Sequence, residues 1–425
     1  MPPSPTATTA PPPVPRIEPA LVVIAAGVCA ALHVGKLAPA VSTLQAELGL
    51  TLVQAGFLLS LVQGAGMLLG LVFGALADGL GARRSMVLGL AVLAVASAAG
   101  GSVVGAPALT LLMACRVAEG FGFLLVVLPA PGLVRALVPA ARVAAMLGVW
   151  GAYMPLATAL ALLLGPLCIG AFGWRAWWWA LALLSVLALL GLRHAVPVRS
   201  ARSARPAGPT AAPQALPWWL RLRLTLAAPG AWWVALCFAM YSGQWLAVIG
   251  FLPAIYTQAG VAAGATGVLT ALVAAINIVG NLLAGRLLQR GLGAGKLLAT
   301  GFVAMGVAAT VAFADIAALP CSARYAALLG FSGFGGLIPA TLFAMALRVA
   351  PGPQTVSTTI GWLQQWSALG QFAGPPVVAA VASHAGGWQF TWLATGAFAL
   401  AGLVFSALLV GCLQAGIQAQ GQRGR

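Results

Sequence analysis

The chain alternates between long apolar runs and short polar gaps. A helix that crosses a bilayer needs about 20 predominantly apolar residues, and twelve runs of that length can be drawn along the sequence. Because the runs are continuous, they predict helices and not strands, which would alternate apolar and polar positions. We therefore predict an all-α, polytopic membrane protein. Its twelve transmembrane helices are centred near residues 30, 64, 95, 121, 156, 184, 244, 274, 307, 335, 368 and 402.

Composition supports this class and excludes others. Of the 425 residues, 61% are hydrophobic and only 6% are charged, whereas soluble domains carry about 25% charged residues. The net charge of +16 does not come from one basic surface, so we predict membrane lipid and not nucleic acid as a partner. The six cysteines occur singly without C-x-x-C spacing. No metal site and no cofactor is predicted.

Basic residues also predict the topology. With the N-terminus inside and the helices alternating, 17 of the 21 Lys and Arg residues fall in cytoplasmic segments. Arg175 and Arg324 fall in segments on the outer side of the membrane, and Lys36 and Arg116 fall within spans. This asymmetry follows the positive-inside rule. We expect a multi-pass protein of the bacterial cytoplasmic (inner) membrane with both termini in the cytoplasm.

Polar segments divide the chain into five parts. A Pro-rich cytoplasmic tail covers residues 1–18, and a basic Pro/Ala/Ser-rich stretch at 193–228 is typical of a flexible linker. These segments predict two six-helix bundles at 19–192 and 229–413, followed by a second cytoplasmic tail at 414–425.

The two predicted bundles share short sequences, in the same order and at nearly one offset. One tripeptide, "GFG", occurs in both, and single residues match around it. An internal duplication of this kind is common in transporters. The matching positions are 120–122 and 333–335, Arg135 and Arg348, Gly165–Pro166 and Gly374–Pro375, and "GW" at 173 and 387.

Residues 74–85, "GALADGLGARRS", lie between the second and third predicted helices. They resemble the loop signature of the major facilitator superfamily, with Gly74, Asp78, Gly81 and Arg83 in register; Gly79 and Ala82 replace two basic positions that are typical of the family. The resemblance implies that these four residues latch the two halves in the outward-facing state. The corresponding segment of the second half has Gln289 in place of the aspartate.

Two further segments resemble motifs of the same family: "RVAEGFG" at 116–122 and "LLLGPLCIG" at 162–170, in which Gly170 comes one residue late. "HVGKLAP" and the later "GWR" are most similar to its cyanate/nitroimidazole-permease-like branch. The resemblance implies two pseudo-symmetric six-helix bundles in a monomer that works by alternating access. It also implies that helices 1, 4, 7 and 10 line a central cavity.

Ionisable residues inside spans are costly, and usually functional. Arg116 and Glu119 are three residues apart on one helical face and can pair directly. One interpretation is a structural ion pair. The other is that Glu119 is a proton-coupling site, kept ionised by Arg116 and protonated when the pair weakens. The sequence favours neither.

Lys36 has two interpretations as well. It could be an anchor whose ammonium reaches the outer membrane surface, or it could face the cavity with Arg116 and attract an anion. His33 shares its helical face, as a hydrogen-bond donor, a proton carrier or a satisfied polar residue. Polar and aromatic residues of the second half would complete the substrate site: Tyr241, Gln244 and Trp245 in the seventh helix, and Gln364 and Gln365 in the eleventh.

We therefore predict a secondary active transporter that moves a small anionic or polar solute together with protons, as a symporter. The alternative is a drug/proton antiporter that works in efflux. The segment with Gly165 and Pro166 favours it, because it resembles a motif that is associated with proton-driven antiporters. A membrane sensor without flux has no support, because no soluble domain of the chain is large enough to signal. An enzyme is not expected, because no Ser/His/Asp set or Walker loop occurs.

Overall fold

The computed structural model describes residues 18–70, 81–104, 108–139, 142, 146, 149–196, 216–315 and 319–423. Within these residues one long helix lies at each of the twelve predicted apolar runs. We number them α1 Pro19–Leu48, α2 Leu52–Gly70, α3 Ala82–Gly101, α4 Ala108–Leu137, α5 Tyr153–Phe172, α6 Trp174–Ala195, α7 Pro229–Gln258, α8 Ala263–Gln289, α9 Ala294–Phe313, α10 Cys321–Val349, α11 Val356–His384 and α12 Trp388–Gln414.

Eleven helices of the described chain are long and apolar enough to cross a membrane, judged by length and composition. The exception, α11, has 29 residues and no Asp, Glu, Lys or Arg. Its apolar character is reduced by Gln364, Gln365 and Gln371 and by the adjacent Pro375 and Pro376. The prediction of an all-α, multi-pass membrane protein is confirmed.

Several spans are not continuous α-helices. Pro39 has no backbone N–H to donate, and it lies in a 3₁₀ turn that interrupts the first span. A similar 3₁₀ turn interrupts the second span, and short breaks divide the fourth and tenth. The segments are Pro19–Gly35, Ala38–Ala40 and Val41–Leu48 in α1; Leu52–Ser60 and Leu61–Gln63 in α2; Ala108–Val127 and Ala130–Leu137 in α4; and Cys321–Gly335 and Leu337–Val349 in α10.

The helices of the two halves pack in the same pattern. In the first half α1 packs on α5 and α6, and α3 packs on α4 and α6. Six helices later, α7 packs on α11 and α12, and α9 packs on α10 and α12. The internal duplication predicted from the repeated motifs is therefore present as two pseudo-symmetric six-helix bundles.

The repeated glycines lie where helices approach closely. A Cβ atom on Gly165 would meet the ring of Pro39 on α1, and one on its counterpart Gly374 would meet the backbone carbonyl of Gly243 on α7. Small residues at such positions let membrane helices pack backbone against backbone. The duplicated motif therefore marks the α1–α5 contact of one half and the α7–α11 contact of the other.

We predict that Gly374→Leu destabilises the protein, because its side chain would have to occupy the space of the α7 backbone. Overpacking of this kind costs about 1 to 3 kcal/mol, or more where backbone must move. The matched control is Gly396→Leu in α12, where an added Cβ meets open space. Thermal unfolding in detergent should show a lower midpoint only for Gly374→Leu. Equal midpoints for the two variants would contradict this assignment.

Among the described residues, the main contacts between the halves are made by α5 with α8, by α2 with α11, and by the second part of α1 with α7. The first two pairs exchange when the halves are exchanged, as a pseudo-two-fold arrangement requires.

The predicted tail 1–18 and linker 193–228 fall largely outside the described residues. A short helix, Trp218–Ala227, ends the linker. Helical backbone continues to Arg423, beyond the predicted bundle boundary at 413.

Candidate functional site

Four ionisable side chains predicted to matter meet in the interior of the first half. His33 and Lys36 come from α1, and Arg116 and Glu119 come from α4; none has exposed surface. Glu119 Oε1 accepts a hydrogen bond from Lys36 Nζ, and Oε2 accepts one from Arg116 Nη1 at 2.7 Å. We call these four residues the buried charge cluster. The carboxylate of Glu119 therefore lies between two cations. The sequence predicted its pairing with Arg116 but not with Lys36.

The break in α1 positions Lys36. The α-helical part of the span ends at Gly35, so Lys36 lies at its C-terminus. The Lys36 carbonyl accepts a hydrogen bond from Trp177 Nε1 at 3.1 Å. Its ammonium donates to Ser97 Oγ at 2.9 Å and lies 4.7 Å from the centre of the Trp178 ring. These contacts exclude the interpretation that Lys36 extends to the membrane surface as an anchor.

Arg116 also binds backbone carbonyl groups. Its Nη1 donates to the carbonyl of His33 at 2.5 Å, its Nε to that of Leu58 at 3.2 Å and its Nη2 to that of Leu59 at 3.5 Å. The last two carbonyls lie just before the 3₁₀ turn of α2, where the regular α-helical bonding ends. In a membrane interior such groups need an internal partner. Arg116 therefore ties α1, α2 and α4 together.

His33 completes the cluster. Its Nε2 lies 2.8 Å from Ser185 Oγ on α6, and the Ser185 hydroxyl is 2.9 Å from the carbonyl of Leu181. The other ring nitrogen, Nδ1, lies 3.6 Å from Glu119 Oε1. This nitrogen is buried and has no hydrogen-bond partner among the described residues.

All side-chain partners of the cluster belong to α1, α3, α4 and α6. The sequence predicted instead that Lys36 and Arg116 face a central cavity between the halves. In this conformation both cations are enclosed by their own half. Their N–H groups donate to Glu119 and to backbone carbonyl groups of that half. Ser97, Ser185 and Trp178 were not predicted as site residues. The charged residues of α3 and α6 lie near the helix ends, so no charge in the sequence marks these three positions.

Removing charges from water is expensive, so the cluster depends on internal pairing. One ammonium, one guanidinium and one carboxylate leave a net positive charge in a region with no exposed surface. Loss of one member of a buried pair typically costs about 3 to 5 kcal/mol, because the remaining charge is left without compensation. Such a site responds strongly to any change in the number of bound protons.

A second polar group lies in the other half. The hydroxyl of Tyr241 on α7 accepts from Asn277 Nδ2 at 3.0 Å, and Trp245 Nε1 donates to Ser332 Oγ at 3.1 Å. Asn277 Nδ2 also donates to the Ser332 carbonyl at 2.8 Å. Two of the five predicted site residues of this half, Tyr241 and Trp245, are therefore joined in one network that links α7, α8 and α10.

The predicted glutamines do not join these groups. Gln244 lies on the face of α7 that carries Cys237 and Phe251, which contact α12, and neither atom of its amide has a partner among the described residues. Gln365 donates across the halves to the Met67 carbonyl of α2 at 2.9 Å. Gln364 is partly exposed on α11.

One cross-half contact was missed by sequence reasoning. Gln63 Nε2 of α2 donates to Gln371 Oε1 of α11 at 2.9 Å. The two glutamines are 308 positions apart, and neither lies in a motif. They mark the α2–α11 surface as a polar contact between the halves.

We predict that Gln63→Ala weakens the α2–α11 contact by about 0.5 to 1.5 kcal/mol, the net contribution of one hydrogen bond. The population should shift toward conformations in which α2 and α11 separate. Spin labels on the two helices would measure this shift as a longer distance distribution. Gln389→Ala is the control, because the hydrogen bond that Gln389 makes among the described residues lies within its own half, to the Ala385 carbonyl. An unchanged distribution for Gln63→Ala would contradict the prediction.

The predicted latch is only partly visible. Gly74 and Asp78 lie outside the described residues. Gly81 has a φ of 84° at the start of α3, a value that favours glycine. Arg83 Nη2 donates to the carbonyl of Arg193 near the end of α6 at 2.8 Å. Among the described contacts Arg83 therefore caps a carbonyl group near the C-terminal end of α6.

Comparison with known proteins gives a consistent result. The family model described as Major Facilitator Superfamily matches residues 23–254 and 234–424. A "Chloramphenicol resistance protein" of Streptomyces lividans is 29% identical over 363 residues, which cover 83% of this chain and 86% of that protein.

Two solved structures share the fold. A bacterial homologue of the human lysosomal transporter Spinster, inward-facing and unoccupied, has a TM-score of 0.73 at 15% identity and covers 94% of this chain and 98% of its own. The proton:xylose symporter XylE bound to 6-bromo-6-deoxy-D-glucose has a TM-score of 0.70 at 14% identity, with 91% and 94% covered.

Proposed function

The chain belongs to the Major Facilitator Superfamily, and from that premise we propose that it couples protons to the movement of an uncharged or weakly polar solute. It is a multi-pass membrane transporter and not an enzyme. We assign the proton coupling to the buried charge cluster of His33, Lys36, Arg116 and Glu119. The solute would bind elsewhere, between the halves.

The observation that carries this proposal is the carboxylate of Glu119, held at full burial by two cations. Ionisable groups buried within membrane-spanning helices are expensive and most often belong to ion pathways or proton relays. A cluster with no exposed surface would also keep its proton from exchanging with water until the protein changes conformation. Occlusion of this kind is what coupled transport requires, because a proton that leaks through does no work.

A structural path connects the cluster to the other half. Lys36 lies at the break in α1, and the segment that follows, Ala38–Leu48, packs against α7. A change in charge at Lys36 would therefore act on a segment that contacts the second bundle. In this proposal the break is the element that would take two arrangements, which coupling between distant sites needs.

The position of the charges favours an uncharged solute. Outside the cluster, every Asp, Glu, Lys and Arg of the twelve described helices lies within about one turn of a helix end. The surface between the halves instead offers amides, including Gln63, Gln365 and Gln371. An anion at Lys36 or Arg116 would have to displace Glu119. The similarity to a chloramphenicol resistance protein supports drug/proton antiport. Transport of a small anionic or polar solute is the second hypothesis to test.

The predictions of location, domain division and oligomeric state are kept as proposals. The excess of Lys and Arg in alternate loops supports a cytoplasmic-membrane protein with both termini inside. We also keep the predicted division into two bundles joined by a linker, and a monomer as the transporting unit. The cyanate/nitroimidazole-permease-like branch remains a proposal.

Purified protein in liposomes tests the substrate class. Three groups of compounds should be compared under an imposed pH gradient: uncharged amphenicols, lipophilic cations and small organic anions. We expect gradient-driven movement of the uncharged compounds, unchanged in Arg175→Ala, which removes an exposed pair with Glu47. Movement of anions alone, lost in Lys36→Ala and Arg116→Ala, would restore the anion site. No movement under any gradient would contradict proton coupling.

A further inference from the structure

We propose that the coupled proton binds Nδ1 of His33 and not the carboxylate of Glu119. This inference rests on the proposed proton coupling and names the atom that carries the proton. It follows from the hydrogen bonds around the imidazole ring, which commit one nitrogen and leave the other without a partner.

The bonds on the Ser185 side fix the state of the neutral ring. We assign the Ser185 hydroxyl proton to the carbonyl of Leu181 at 2.9 Å, because a backbone carbonyl can only accept. Ser185 Oγ then accepts from His33 Nε2 at 2.8 Å, and the thiol of Cys29 lies 3.6 Å from the same oxygen. Nε2 therefore carries the hydrogen of the neutral imidazole, and Nδ1 is a bare acceptor.

Nδ1 faces a second acceptor. It lies 3.6 Å from Glu119 Oε1, with no hydrogen-bond partner in the described part of the chain. A proton at this point turns two opposed lone pairs into an N–H donor and a carboxylate acceptor. The ionisable groups around the ring are Cys29 and Lys36 on α1 and Arg116 and Glu119 on α4; α6 contributes the neutral Ser185.

Glu119 is a less favourable binding site for the same proton. Each of its oxygens already accepts from a cation, Oε1 from Lys36 and Oε2 from Arg116. A proton on the carboxylate would remove the only anion between two buried cations. A proton on His33 adds the same charge but leaves that anion in place, and it also satisfies the free nitrogen.

Protonation would then shift the balance at Oε1. The step forms one N–H bond from the Nδ1 lone pair, with the proton taken from water on the acidic side and later released to water on the other side. The new donor competes with Lys36 for Glu119 Oε1. Lys36 retains Ser97 and the Trp178 ring as partners. Because it lies at the end of the first helical segment, its displacement acts on the break in α1.

Nitrogen NMR of the protein in lipid bilayers tests the assignment directly. The chain has 3 histidines, and the two exposed ones, His194 and His384, can be replaced by glutamine to leave His33 alone. With ¹⁵N-labelled histidine we expect the Nε2–H tautomer at high pH and a doubly protonated ring at low pH. An Nδ1–H tautomer, or a ring that never gains a second proton, would overturn the proposal.

Transport assays provide a second readout. In His33→Gln and His33→Asn we expect loss of pH-gradient-driven flux to the level of liposomes without protein, while exchange of solute down its own gradient persists. His194→Gln and His384→Gln should keep full coupling. Coupled flux that survives in both His33 variants overturns the inference alone. A wild-type protein whose flux ignores the pH gradient overturns the proposed function and this inference together.

Discussion

Replacing Glu119 by leucine is expected to lower the free energy of unfolding by about 3 to 5 kcal/mol, the usual cost of leaving buried charges unpaired. Lys36 and Arg116 would lose their common carboxylate in a region with no exposed surface. Proton-driven transport should disappear in the same variant. Unfolding in mixed micelles titrated with a denaturing detergent measures the stability, and flux in liposomes measures the coupling.

The double variant Glu119→Leu with Lys36→Met separates the two effects. It removes one cation with the anion, so Arg116 is the single charge left and the net charge of the cluster is unchanged. We expect part of the lost stability to return, because a buried pair can often be replaced by apolar residues at little cost. Transport should stay uncoupled. A double variant that is less stable than Glu119→Leu would show that Lys36 and Glu119 are not energetically paired.

Arg116→Met carries the second large effect. The variant loses the contact with Glu119 and the hydrogen bonds to the carbonyls of His33, Leu58 and Leu59. We expect a loss of about 3 to 5 kcal/mol for the broken pair, to which the unpaired carbonyls add. Arg116→Lys should restore little, because an ammonium is a point donor and cannot span several acceptors as a planar guanidinium does.

Arg175→Ala is the matched control for Arg116→Met. Its pair with Glu47 spans 3.5 Å between side chains that are 44% and 45% exposed. Such surface pairs contribute about 0 to 1 kcal/mol. The same unfolding titration should therefore leave Arg175→Ala close to the wild type. Equal losses for the two arginine variants would contradict the tethering role of Arg116.

Much of the fold could be predicted because membrane helices leave local signals. Apolar runs, basic loops and repeated glycines each depend on short stretches of chain, and the duplication could be seen in pairs such as Gly165 and Gly374. Arg116 and Glu119 were paired in advance for the same reason, since three residues on a helix bring side chains together.

The rest of the site depends on distant contacts and on backbone breaks. Lys36 joins Glu119 across 83 positions, and its direction is set by the end of the α-helix at Gly35, which hydropathy does not reveal. The contact of Gln63 with Gln371 needs two helices from different halves. Gln244 was placed in the cavity by its helix alone, although rotation about that helix turns it toward α12.

Proton movement driven by a solute gradient tests the central claim most directly. Liposomes that contain the protein, a pH-sensitive dye and an amphenicol are diluted into solute-free buffer, without any imposed pH gradient. The buried charge cluster predicts that solute exit moves protons in the wild type, inward for antiport, and does not move them in the Glu119→Leu with Lys36→Met variant. Solute exit with no pH change in the wild type, or the same pH change in both proteins, would contradict the account.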